Sequence, residues 1–160
     1  MKVRSEKNKL CESGFTLIEL SLVVSIFFIL VGLATVNLFQ FQHKSQMNAT
    51  INSFVADYKE QQIKAMVGDT EGATSSANFG IHFDTTSYTL FRDTYGTSNL
   101  AVDLPSTIHI GTSYNGGAQV VFTKGSGEVG SAGTITFTDT SDSSQKVLTI
   151  NKYGVITAVN

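Results

Sequence analysis

Glu19 is the residue whose type and position most demand a chemical account. It follows Gly14-Phe15-Thr16-Leu17-Ile18, and an uncharged stretch from Leu20 to Gln42 comes after it. An ionised carboxylate at the edge of a bilayer costs kilocalories, so an acid just inside a membrane-length apolar segment points to function. A carboxylate buried among apolar helices needs a positive partner. The competing reading is an interfacial acid near a helix N-terminus, favoured only by the helix dipole. Gly14 is the second feature with chemistry to offer. A basic, hydrophilic leader ends on it and an aromatic follows, the order expected of a cleavage point.

Other reactive side chains are scattered. His43 falls at the membrane edge of the expected span, and His82 and His109 fall on the polar phase of predicted strands, where exposure is the plain expectation. No Cys or His cluster has metal spacing, and neither a cofactor nor an enzyme activity is expected. Gly125 to Gly133 is glycine-rich but lacks the lysine and strand-to-helix setting of a phosphate loop, and reads as a flexible hairpin connection. Asp139-Thr140-Ser141-Asp142 could offer oxygens to calcium, yet the spacing is not that of an EF-hand, and a solvated turn is the simpler reading.

The elements that would position Glu19 follow from the charge and hydropathy pattern. Residues 1–14 carry Lys2, Arg4, Lys7 and Lys9 against Glu6 and Glu12 and have no apolar core, unlike an ordinary secretory signal. Basic residues before a span stay cytoplasmic, so the leader should face the cytoplasm and the C-terminal bulk should lie outside. Residues 15–42 then supply about the 20 residues that cross hydrocarbon as a helix. A buried core helix is the alternative, but 160 residues offer little other core to wrap it.

The hexapeptide Gly14-Phe15-Thr16-Leu17-Ile18-Glu19, with its basic leader and adjoining apolar helix, resembles the processing and assembly motif of type IV pilins and type II secretion pseudopilins. The resemblance covers about residues 8–40. It implies cleavage between Gly14 and Phe15 by a prepilin peptidase and N-methylation of the new amino terminus on Phe15. It also implies ordered addition of the subunit to a helical fibre with the help of Glu19. The implied partners are other pilin or pseudopilin subunits, an inner-membrane assembly platform and membrane lipid. The new α-amino group would lie four residues before Glu19. A neighbour's amino terminus, staggered along the fibre, could therefore pair with the carboxylate and set register, as a buried polar group does in a coiled coil. Two departures stand out. Major pilins often carry a proline midway along the apolar helix, and none occurs near Val36; many also close a C-terminal loop with a disulfide, but the only cysteine is Cys11 in the leader.

Residues 43–67 should continue the helix in amphipathic form. There is no proline or glycine, and Met47, Ile51, Phe54, Val55, Tyr58 and Ala65 recur at spacings of three and four, with Gln61 mostly off the stripe. Gly68 is the expected stop. Residues 68–160 form the expected β-rich domain. Residues 68–78 read as a polar loop, after which the period changes to two. A hairpin is predicted from Phe79–Phe83 and Tyr88–Leu90 about a turn at 84–87. Further strands are expected at 100–104, 107–110, 119–123, 134–138, 146–150 and 155–159. The fold class is therefore α+β, a long N-terminal helix packed on an antiparallel β domain. Its outer part, with Phe79-Gly80-Ile81-His82-Phe83-Asp84 and the ending near Tyr153-Gly154, more weakly resembles minor pilins and pseudopilins of the GspH/FimT type.

Removal of the leader would leave 146 residues with 7 basic and 11 acidic side chains, a net charge near −4. That balance gives no overall reason to expect nucleic-acid binding; Arg92, Lys124, Lys146 and Lys152 would have to cluster to support it. Two roles stay open. One is a structural subunit of a fibre in the inner membrane or cell envelope. The other is a binding module at the fibre tip, holding DNA, a surface or a secreted substrate.

Overall fold

The computed structural model describes residues 14–96, 99–114 and 117–160, with the backbone alone for residues 34–40. Residues 1–13 of the leader, including Cys11, lie outside the described residues. One helix, α1 (Leu17–Val67), is followed by eight strands: β1 (Phe79–Phe83), β2 (Ser87–Arg92), β3 (Asn99–Asp103), β4 (Ile108–Tyr114), β5 (Gln119–Phe122), β6 (Gly133–Asp139), β7 (Gln145–Ile150) and β8 (Ile156–Val159). The chain divides into two units, residues 1–41 and 42–160.

In the first unit, the described side chains from Leu17 to Leu33 are exposed and almost all apolar. Ser25 donates its hydroxyl to the Ser21 carbonyl, so this polar group costs the apolar surface little. Among the described residues no helix is long and apolar enough to cross a membrane. The run that ends at Leu33 is shorter than the roughly 20 residues a span needs. The side chains of 34–40, which belong to the expected span, lie outside the described residues.

The second unit is α+β. Its sheets are antiparallel, with strand orders β3-β2-β1-β5 and β4-β6-β7-β8. The expected hairpin is present, Ile81 facing Leu90 and Phe83 facing Tyr88. Strand β4 runs to Tyr114, beyond the expected end at Ile110. Its polar Gly111-Thr112-Ser113 pairs along Thr134–Thr136 of β6, and ladder hydrogen bonds stabilise it where hydrophobicity does not. The glycine-rich 125–133 segment is not a hairpin connection. It carries the chain from β5 in one sheet to β6 in the other.

The part of α1 that belongs to the second unit holds the two sheets together. Met47, Ile51, Phe54, Tyr58 and Ala65 are buried as the stripe predicts. Gln61 completes the same three-and-four series and is also buried, a correction to its placement off the stripe. Phe54 touches both sheets, with ring centroids 5.2 Å from Tyr88 on β2 and 5.2 Å from Phe137 on β6. Tyr58 meets Phe122 edge-on at 4.9 Å. The helix ends as Gly68 implies. Gly68 adopts φ 70°, its amide bonds the Ala65 carbonyl and the Asp69 amide bonds the Lys64 carbonyl, a Schellman cap.

Candidate functional site

Gly14, Phe15 and Glu19 stand at the start of α1. Gly14 lies outside any helix, and nothing would crowd a Cβ built on it. Phe15 is 85% exposed. Thr16 is the N-cap and Glu19 the third helical residue. Glu19 Oε2 accepts from the Thr16 amide at 3.3 Å and from Thr16 Oγ1 at 3.0 Å, while the Glu19 amide donates to Thr16 Oγ1 at 3.3 Å. This is a capping box. The sequence shows its Thr-x-x-Glu pattern, but the attention drawn by the acid alone hides it. The cap thus adds hydrogen bonds to whatever the helix dipole contributes at Glu19. Dipole attraction alone, the competing reading, is therefore incomplete.

The three histidines are not brought together. His43, expected at the edge of a span, belongs to the second unit, and its Nδ1 lies 3.6 Å from Asp139 Oδ2. Asp139 is 0% exposed, which corrects the reading of 139–142 as a wholly solvated turn. Its Oδ1 accepts from the Ser141 amide at 2.9 Å, closing the β6–β7 turn. Asp142, at the exposed side, is held below the usual carboxylate range by its hydrogen bonds from Ser144. Among the described residues no group of three or more His, Cys, Asp or Glu side chains could hold a metal ion. His82 is half-buried rather than exposed, because Tyr95 stacks on its ring at 3.9 Å. His109 is partly covered on β4.

The four basic residues that follow the helix lie on separate elements. Arg92 ends β2 and donates to the Ser75 carbonyl, Lys124 follows β5, Lys146 is on β7 and Lys152 lies between β7 and β8. Two polar features at the helix–sheet seam add to the residues singled out from the sequence. The Tyr88 hydroxyl donates to Asp57 Oδ2 at 2.5 Å, and Lys64 pairs with Glu60 and Glu71 at 2.9 and 2.8 Å. Partial burial lowers the Lys64 affinity for its proton, but the bonds to Glu71 and Glu60 outweigh it and hold the ammonium above the usual lysine range. Glu60 stands four residues before Lys64, a spacing readable in the sequence; Tyr88–Asp57 joins distant segments and left no local signal. Comparison with protein-family models, curated proteins and solved structures returned no match.

Proposed function

We propose that this chain is a structural subunit, a minor pilin or pseudopilin, of a type IV pilus or type II secretion-type fibre. The observation that carries the proposal is the junction at Gly14–Phe15. An exposed glycine and aromatic stand immediately before a capped helix whose first part exposes apolar side chains all round. An exposed apolar surface of this extent needs lipid or other helices to cover it. Counted with residues 34–40, which are uncharged in the sequence, the stretch 20–42 meets the length of a span. In this reading a prepilin peptidase cuts after Gly14 and Phe15 becomes the N-methylated terminus. The helix waits in the inner membrane with the β domain outside, and an assembly platform delivers the subunit to its neighbours. The role is structural rather than catalytic.

The test is mass spectrometry of the chain produced in membranes with and without a prepilin peptidase. The expected product begins at a methylated Phe15 only when the peptidase is present. An intact leader under those conditions would overturn the proposal.

A further inference from the structure

Along its outer part, α1 has two flanks of unlike character. On one, a groove of about 370 Å³ runs between the helix and β8, lined by Val55, Lys59, Gln62, Val155, Ile156 and Val159 among others. Its walls are largely apolar, and Val155 is 51% exposed. β8 is an edge strand, so its outer side has no neighbour in the sheet. Apolar surface continues past the groove. Gln62 Nε2 donates to the carbonyls of Gly127 and Tyr153, and Met66 packs where a Cβ on Gly127 would stand. Met66 and Tyr153 are themselves exposed. Lys59 lines the groove and Lys152 rests over the exposed Tyr153 ring at 4.9 Å; among the described residues neither lysine has a carboxylate partner, and Glu128, next to Gly127, is the one acid beside them.

The other flank is acidic. Two cavities, of about 260 and 320 Å³, open between the helix and the edge strand β3. Asp57, Glu60, Glu71 and Asp103 line them against Lys64 and Arg92, four acids to two bases. Lys64 is engaged by Glu60 and Glu71, which leaves Asp57 and Asp103 without a cationic partner among the described residues. Leu100 stands beside them. It faces Leu90 across the β2–β3 ladder, on the core side of the sheet, yet is 64% exposed because the helix does not reach over it.

We propose that the α1–β8 groove is the docking site for the β3 flank of a second copy of this chain. Leu100 of one copy enters the groove beside Val155 and Val159 of the next, and Asp103 and Asp57 face Lys59 and Lys152. The occupant is fixed by charge: the uncompensated lysines and acids lie on opposite flanks of one molecule. Asp57 and Lys59 are about 160° apart around the helix, so the two surfaces cannot meet within a copy. A contact between unlike patches is heterologous and does not close as a two-fold dimer; where its rotation does not close a ring it propagates as an open filament, the form the fibre reading requires. This inference rests on the fibre reading above and adds which surfaces of the β domain carry the repeat.

The test is oxidative cross-linking of the full chain in membranes of cells that assemble it, in a Cys11→Ser background. Leu100→Cys alone and Val155→Cys alone should give no dimer. The two together on one chain should give a ladder, and co-expressed on separate chains they should give a dimer. Lys59→Asp should reduce the ladder roughly two- to fivefold, as expected for an exposed pair, and adding Asp103→Lys should restore it. Dimers from either single cysteine would mean a two-fold contact and overturn the proposal. No cross-link while the subunit is still processed at Phe15 and recovered in sheared fibres would overturn it and leave the fibre reading standing. An unprocessed chain absent from fibres would remove both.

Discussion

Thr16 and Glu19 cap each other at the first turn of α1, hydroxyl to amide in one direction and carboxylate to amide in the other. The acid that resembles an assembly residue therefore also closes its own helix. The two roles make different demands on the side chain. Capping needs an acceptor, which glutamine supplies as well as glutamate. Pairing with a neighbour's amino terminus needs the negative charge.

Glu19→Gln separates them. It should keep the first turn helical and membrane insertion intact, yet be missing from sheared fibres, as Glu19→Ala should be. Deleting one member of a buried ion pair costs roughly 3–5 kcal/mol, whereas loss of a cap costs about 1 kcal/mol. Fractionation of the two variants decides the matter. Normal incorporation of Glu19→Gln with a defect confined to Glu19→Ala would assign the residue to capping alone.

Phe54 is 0% exposed and touches rings from both sheets. Phe54→Ala in a fragment beginning at residue 42 should cost about 3–5 kcal/mol. Phe54→Asp should leave the fragment unfolded at neutral pH, since an unpaired buried charge costs as much as a small domain's whole stability. Urea denaturation followed by circular dichroism measures both, and an unchanged midpoint would remove Phe54 from the core.

Tyr58 and Tyr88 both hold their protons beyond the ordinary tyrosine range. Burial is the first cause in each; the charge of Tyr114 adds to it at Tyr58 and the bond to Asp57 adds to it at Tyr88. A raised folded pKa means that the stability is present below about pH 10, where unfolded tyrosine titrates, and is lost as pH rises beyond it. Stability should thus be insensitive to these groups from pH 7 to 9 and fall above about pH 10. Ultraviolet titration should find Tyr58 and Tyr88 silent until the domain unfolds. The hydroxyls differ in worth. Tyr58 Oη has no partner among the described residues, so Tyr58→Phe should be neutral or stabilising. Tyr88→Phe removes the donor to Asp57 and should cost about 1 kcal/mol. Equal effects of the two variants on the urea midpoint would contradict this assignment.

Asp139 is engaged within the fold rather than offered to solvent. Asp139→Ala should destabilise the same fragment by about 1–3 kcal/mol, because the Ser141 amide loses its acceptor. Asp139→Asn should recover part of that loss. Added calcium or a chelator should leave the melting midpoint unmoved. A rise in the midpoint with calcium would show that the 139–142 turn binds the ion.

The amino-acid sequence by itself determined the junction at Gly14–Phe15, the two-phase helix and most of the strands. These are local patterns. An apolar run, a three-and-four stripe ending at Gly68 and period-two segments after Phe79 each act through neighbours a few residues apart, so the chain displays them directly. Only the tertiary structure decided that there are two sheets and that residues 125–133 carry the chain between them. It also decided that Phe54 joins the sheets, that Gln61 belongs to the buried stripe and that Asp57 answers Tyr88. Those outcomes depend on which strand edges meet and which helix face they cover. Hydrogen bonds between segments tens of residues apart settle that, and no single stretch of sequence carries their signature. The same distinction applies to Glu19: its place in the motif is written in the chain, while its closure onto Thr16 appears only once the helix has formed.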